Sequence, residues 1–371
     1  MTALVRNEGS KMMGEINLKT FWLISIFLLG MACTAAAGRT IYVDDDGPAD
    51  FSTIQEAIDD SNDGDTIIVK PGVYLEYASF LGKNITVTST KPDDYNVVAS
   101  TIIEYGAEFA GTEDSNCTFT GFKVNFWIGG NHTHATISYC LLSNSADPWG
   151  IAIRDCDGTI SNCVIVNNMP GGHVPDYAIR GCHGLIKNCT VANNFSGIRV
   201  LGGGTTTIEN CIIYGNSVWL EGGATVNILY SNVEGGIYSG GDRTVNWGPG
   251  NMDADPCFVR VGDLFGTFEG DYHLKSQAGR WDPNSQSWVQ DANTSPCIDA
   301  GNPHSPIGLE PFPNGGRINM GAYGGTPEAS KSYFGRPVCE IIIAGDVNGD
   351  CKVNWLDFQL LALHWLRDES Q

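Results

Sequence analysis

Ser161-Asn-Cys-Val-Ile165, Lys187-Asn-Cys-Thr-Val191 and Glu209-Asn-Cys-Ile-Ile213 repeat one short phrase, and Ser115-Asn-Cys-Thr-Phe119, Ser138-Tyr-Cys-Leu-Leu142 and Tyr230-Ser-Asn-Val233 vary it. With Cys117, Cys140, Cys163, Cys189, Cys211 and Ser231 as its mark, the steps are 23, 23, 26, 22 and 20 residues. A period of this size is that of a stacked repeat whose units bury their apolar faces only against neighbours. Each period holds short alternating runs (Thr136-Ile137, Thr159-Ile160, Leu185-Ile186, Thr207-Ile208) broken by Asn, Gly and Ser. No period holds ten residues at helical spacing, which excludes helical solenoids. Short strands closed by Asn and Gly turns fit a parallel β-coil. Asn tolerates left-handed backbone and can bond to the matching turn above and below, and Cys beside it is a small, soft core residue.

Working outward, Ile41 to Val43 reads as a first strand, and Ser52-Thr-Ile-Gln55 as a capping box before a helical face of Ile54, Ala57 and Ile58. That short helix would cover the otherwise bare first strand edge. The phrases from Gly64 to Glu76 and from Gly82 to Ser89 are strands bent at Pro71-Gly72. From Ile41 to Tyr323 the chain resembles the right-handed parallel β-helix proteins of the pectin-lyase-like superfamily. The resemblance implies an all-β solenoid, and its motifs specify fold rather than activity. The expected organisation is a leader at 1–37, the β-helix at 38–325, a Ser-, Gly- and Pro-bearing linker at 326–337 and a separate tail at 338–371. Within the β-helix, Asn251 to Tyr323 reads as irregular last turns and a C-terminal cover.

The leader is read from Lys11 and Lys19 ahead of the apolar run Phe21 to Cys33, followed by Thr34-Ala-Ala-Ala37. This is the pattern of a secretory signal peptide, with an apolar run too short to span a bilayer. The protein is therefore expected outside the cytoplasm, secreted or at the cell surface, with no membrane span after cleavage. Cys33 would be the lipidated residue of a lipoprotein, but Gly30 stands where a larger aliphatic is usual. A formal charge of −21 over 371 residues argues against nucleic acid or anionic membrane as partner. Export permits disulfides. Cys156 with Cys182, Cys257 with Cys297 and Cys339 with Cys351 are the pairs considered, and the sequence leaves the connectivity open.

The tail carries Asp346-Val-Asn-Gly-Asp-Cys-Lys-Val-Asn-Trp-Leu-Asp357. A calcium loop of the EF type needs oxygens at positions 1, 3, 5, 7, 9 and 12. Here these are Asp346, Asn348, Asp350, the Lys352 carbonyl, Asn354 and Asp357, a donor set suited to Ca2+. Phe358, Leu361, Ala362 and Trp365 follow at helical spacing. The tail resembles one dockerin-type repeat, which implies a cohesin-like protein or a cell-surface component as its partner. Cys351 stands where Gly normally makes the sharp turn, and dockerins generally carry two repeats.

Aligning the periods exposes a second column. Phe126-Trp-Ile128, Ile153-Arg-Asp155, Ile179-Arg-Gly181, Ile198-Arg-Val200 and Val218-Trp-Leu220 occupy matching places. Alternation puts the middle residue of each outside, so Trp127, Arg154, Arg180, Arg199 and Trp219 should line one face. Aromatic rings stack on sugars and Arg forks bind carboxylates, so polysaccharide, most of all an acidic glycan, is the expected partner. Lyase chemistry on uronates needs a base and a cation beside the developing enolate, for which Arg180 and Arg154 are candidates. Hydrolysis needs two carboxylates at a set separation, and Asp155 with Asp176 is the candidate pair. Asp157, His173 and His183 lie close enough in sequence to join them as ligands or proton relays, whereas His132, His134 and His364 read as surface or turn residues. The paired-aspartate motifs of polygalacturonases and the Arg-x-Pro-x-x-Arg phrase of pectate lyases are missing. Two classes stay open: a secreted lyase or glycoside hydrolase, and a non-catalytic exported scaffold or adhesin.

Overall fold

The computed structural model describes residues 38–145, 148–169, 177–238, 242–263, 270–335, 345–347 and 352–365. The expected leader at 1–37 lies outside the described residues, as do His173, Asp176, Cys339, Asn348, Asp350 and Cys351. Three parallel sheets dominate. The first has ten strands, from Thr40–Val43 to Thr244–Trp247; the second has eight, from Gly72–Tyr74 to Asn232–Val233; the third has eight, from Ala78–Ser79 to Ile237–Tyr238. Each of eight coils lays one strand in each sheet, the first sheet gains one further strand at either end, and like residues stack: Ile137 faces Ile160, and Ile160 faces Ile186. This is the expected all-β parallel solenoid. Among the described residues, no helix is long and apolar enough to cross a membrane.

The repeated phrase turns the corner between the first and second sheets. Tyr139, Asn162, Asn188, Asn210 and Tyr230 there have φ of 52°, 52°, 48°, 54° and 46°, a left-handed bend that Asn adopts at lower cost than Tyr. The next side chain points inward, so Cys140, Cys163, Cys189, Cys211 and Ser231 are buried. Each thiol donates to the carbonyl two residues back, at 3.2 Å for Ser138, 3.3 Å for Ser161, 3.2 Å for Lys187 and 3.2 Å for Glu209. Ser231 Oγ donates to Leu229 O at 2.9 Å in the same manner, which is why Ser substitutes for Cys. Cys117 does not belong to this ladder. It precedes the strand Thr118–Thr120 instead of following it, and Thr120 faces Ser138. The true counterpart of Cys140 one turn earlier is therefore Phe122, after Gly121 at φ 84°. The third-to-first corner also takes a small inward residue, so the same phrase arose there out of phase.

The corner from the second to the third sheet is an asparagine stack. Asn194 Oδ1 accepts from Asn168 Nδ2 at 2.9 Å, and Asn216 Oδ1 from Asn194 Nδ2 at 3.0 Å. These buried amides thus find partners from turn to turn. The described cysteines Cys117, Cys140, Cys156, Cys163, Cys182, Cys189, Cys211, Cys257 and Cys297 are free thiols, which corrects two of the pairings considered. Cys156 and Cys182 do stack, with the Cys156 N–H 3.3 Å from the Cys182 sulfur. For Cys297, burial pushes the thiol up to about 12, as befits a core residue.

Helix α1, Ile54–Asp60, buries Ile54, Ala57 and Ile58 against the first strands and Ala78–Ser79, as expected. Its cap lies one residue later than the sequence suggested. Thr53 Oγ1 accepts from the Glu56 N–H at 3.3 Å. Gln55 is diverted to the Ser79 backbone, whose N–H it receives at 2.7 Å. Glu76 completes the cap by accepting from the N–H groups of Ile54 and Gln55 at 2.7 and 2.8 Å.

After the last coil, two antiparallel hairpins (Phe258–Val261 with Gly270–Leu274, Arg280–Asp282 with Ser287–Val289) and irregular chain form the cover. It lies along the outer side of the second sheet, where Phe258, Tyr272, Leu274, Met320 and Ala322 meet Leu141, Val164, Val166, Ala192 and Ile212. The strands Leu141–Ser143, Val164–Val166 and Thr190–Ala192 are consequently buried on both faces, a pattern of continuous apolar runs. The cover extends past its expected end at Tyr323. Thr326, Glu328, Ala329, Ser330 and Ser332 are buried, so this part of the stretch read as linker is packed structure. Small polar residues there make bonds: Ser330 Oγ donates to Leu274 O at 2.6 Å and Ser332 Oγ to Asp299 at 2.8 Å. At the centre, the fully buried imidazole of His273 contacts Asp271 at 2.7 Å and Glu328 at 3.3 Å, and stacks on Tyr323. Glu328 also accepts from the N–H of Tyr95, the first residue of helix α2, Tyr95–Ser100.

Candidate functional site

With the second sheet covered, the third sheet provides the expected column. Arg154 faces Arg180, Arg180 faces Arg199 and Arg199 faces Trp219 in parallel register. Their neighbours Ile153, Ile179, Ile198 and Val218 are buried inside the coil, so alternation turns the column outward. Adjacent strands lie about 4.8 Å apart, which spreads these four side chains over about 14 Å.

Trp127 enters by a different route from the one expected. The residue in register with Arg154 on the preceding turn is Gly129. The indole of Trp127 folds across that glycine, so that a Cβ at 129 would lie 2.0 Å from its Cζ3. The Arg154 guanidinium then sits 3.9 Å from the indole centroid, a cation–π contact. Tyr77 meets the indole edge-on, with ring centroids 6.2 Å apart. Tyr77 was not foreseen because Gly106, on the intervening turn, interrupts the aromatic pattern. Burial and a hydrogen bond to Glu108 push its phenol above the ordinary range.

Glu221 was also missed, although it stands two residues after Trp219, where alternation gives it the same face. It accepts from Arg199 at 2.8 Å and from the Trp219 indole N–H at 3.0 Å. The Arg199 hydrogen bond holds its carboxyl below the usual range. Arg243 lies 5.9 Å from the Trp219 ring centroid, and Arg199 lies 5.7 Å from that of Tyr177. The column is thus interleaved with aromatics and bounded by Glu108 and Glu221.

Asp155, next to Arg154 and half of the candidate carboxylate pair, is not part of the column. Its φ of 53° places it at a corner, with Oδ1 2.4 Å from where a Cβ of Gly181 would lie. The strand therefore ends its in–out alternation at Arg154. Asp176, the other half of the candidate carboxylate pair, lies outside the described residues. The tail is described in part: Asp346 and Asp357 are buried at 4% and 1% exposure, while Lys352 and Asn354 are exposed. Asp357 accepts from the N–H groups of Val347 and Asn354 at 2.9 and 2.7 Å. Asp357 lies in the first turn of helix α3, Trp355–Trp365.

The chain is similar, at 14% identity and a TM-score of 0.37, to a solved structure described as pectate lyase Pel9A, covering 77% of this chain and 96% of that one. No curated protein matches it. Residues 126–246, which carry most of the column, match the family model described as the right handed beta helix region. The solenoid is a right-handed parallel β-helix.

Proposed function

We propose that this is an exported β-helix protein that holds an acidic polysaccharide along its third sheet, with a calcium-loaded tail. The observation that carries the reading is the in-register outward column Arg154, Arg180, Arg199 and Trp219, with Trp127 laid across Gly129 beside it. A row of guanidinium groups flanked by indoles offers carboxylate forks and sugar-stacking faces along one line. Retention in native gels containing acidic or neutral polysaccharides tests it. The acidic glycans should retard the protein more. Trp219→Ala should weaken that retardation several-fold with little change in melting temperature, because the ring supports little of the core. Equal retardation by every polysaccharide, unaffected by the substitution, counts against the reading.

A scaffold or adhesin is the second reading, favoured by one observation. Much of the face satisfies itself: Arg199 pairs with Glu221, and Arg154 stacks on Trp127. A solvated stripe with no ligand would be built this way too.

In the tail, the Asp-, Asn- and carbonyl-oxygen set at the loop positions supports calcium, which such donors suit, and the carboxylates at its first and twelfth positions, Asp346 and Asp357, are both buried. The residues Val353, Trp355, Leu356, Phe358 and Leu361 are exposed, an apolar surface that a cohesin-like or cell-surface partner would cover. Calorimetry on the full-length protein should show one calcium equivalent, weakened at least about tenfold by Asp346→Ala or Asp357→Ala, since each removes a charged ligand. Calcium heat that survives both substitutions would remove the loop from consideration.

A further inference from the structure

At the edge of the third sheet, His132, Asp157 and His183 come together from three successive turns. His132 Nδ1 lies 3.1 Å from one Asp157 oxygen and His183 Nδ1 lies 3.5 Å from the other. All three ligand atoms fall within 4.8 Å of one another, and the two rings are nearly parallel at 11°. The sequence reading separated His132 from this group as a turn residue, because only the coil pitch of 25 and 26 residues unites the three positions.

The bonding of His183 defines what the cluster can hold. Its Nε2 lies 2.5 Å from the carbonyl oxygen of Leu201. A carbonyl only accepts, so Nε2 carries the proton, and in the neutral ring Nδ1 presents a lone pair. That nitrogen faces a carboxylate oxygen across a gap in which a cation can be shared. A tetrahedral zinc ion with ligands at about 2.0–2.2 Å sets neighbouring ligand atoms about 3.3–3.5 Å apart. The contacts of 3.1 and 3.5 Å, one to each Asp157 oxygen, are close to that spacing.

The surroundings are those of a built site. The Leu201 carbonyl is the kind of partner that fixes tautomer and ring orientation in metal-ligating histidines. The His183 backbone N–H donates to Asp157 Oδ1 at 3.2 Å. Gly204, one turn on, leaves room for the imidazole, since a Cβ there would lie 2.2 Å from its Cδ2. We infer that His132, Asp157 and His183 bind a zinc-type divalent ion. Two imidazoles and one carboxylate favour such a metal over calcium or magnesium. Three protein donors leave a fourth position, on the side where His132 is 63% exposed, for water or a carboxylate-bearing ligand. The site stands independently of the glycan reading.

The test uses full-length protein stripped with a chelator, dialysed, and kept in excess calcium so that the tail does not compete. Calorimetric titration with zinc should show one equivalent in the wild type and in His134→Asn. His132→Asn and His183→Asn should each weaken it by about 100-fold or more, beyond the 10–100-fold typical of outer-shell changes. Cobalt should give ligand-field absorption in the wild type that His132→Asn lacks. His132 has φ 67°, a conformation that Asn accepts readily, so that variant keeps the fold, as its melting temperature will confirm. Absence of micromolar zinc binding, or equal binding by His132→Asn, overturns the site.

Discussion

Ile160→Asp should leave a chain with no cooperative native transition. Ile160 is 1% exposed and stacks between Ile137 and Ile186. The substitution removes a buried aliphatic side chain, a loss of about 2–5 kcal/mol by the measure of large-to-small changes. It also places a carboxylate among apolar turns, a further cost of several kcal/mol whether the group ionises or shifts its pKa to stay neutral. Together these reach the whole stability of about 5–15 kcal/mol of an ordinary domain. Thr159→Asp is the control, one residue away on the outward side of the strand. It should melt within a few degrees of the wild type. If the two variants exchange behaviour, the assigned inside and outside are reversed.

His273→Gln should cost about 3–5 kcal/mol, because it leaves Asp271 and Glu328 without the cation between them. Burial alone would push the imidazole down, but the hydrogen bonds to Asp271 and Glu328 outweigh it and raise His273 to about 9. Its unfolded value is near 6.5. The stabilisation it supplies is therefore full below about pH 6.5 and is lost as pH rises through about 9, amounting to about 3 kcal/mol over that window. Other groups also titrate: burial raises Glu310 to about 7, and thiols ionise in the unfolded chain. The quantity to follow is the difference in unfolding free energy between wild type and variant. It should shrink from pH 6.5 to pH 9.5, and a constant difference would mean that His273 is neutral in the fold. Because the pair joins the cover to helix α2 through Glu328 and Tyr95, loss of the cover's protection from proteolysis should accompany the destabilisation.

Much of this was legible because a solenoid writes its geometry into a period. The bend-plus-inward-residue phrase identified the corner, and alternation assigned Arg154, Arg180, Arg199 and Trp219 to one face. The failures have physical causes of the same kind. Cys117 was misplaced because two different corners need the same small inward residue. Trp127 was counted as a column residue when a glycine holds the place and the indole merely lies over it. The lateral cover was underestimated because Glu328, Ser330 and Ser332 are polar, and their burial depends on partners distant in sequence such as His273 and Leu274. The proximity of His132 to Asp157 and His183 was hidden because only the coil brings the three turns together.

The column also decides between binding and catalysis. An enzyme that uses Arg180 in chemistry would lose turnover on Arg180→Ala far more than affinity, whereas a binding module would lose affinity alone. The charge balance makes the binding claim easy to contradict. A net charge of −21 opposes any polyanion at long range, so attraction must come from the cations of this one face. Titrating a purified oligouronate into wild type and Arg154→Ala/Arg180→Ala protein at fixed ionic strength is the direct measurement. The proposed face predicts at least a tenfold loss of affinity with the melting temperature held within a few degrees. Equal affinity in the two proteins, or no binding by the wild type, would contradict it.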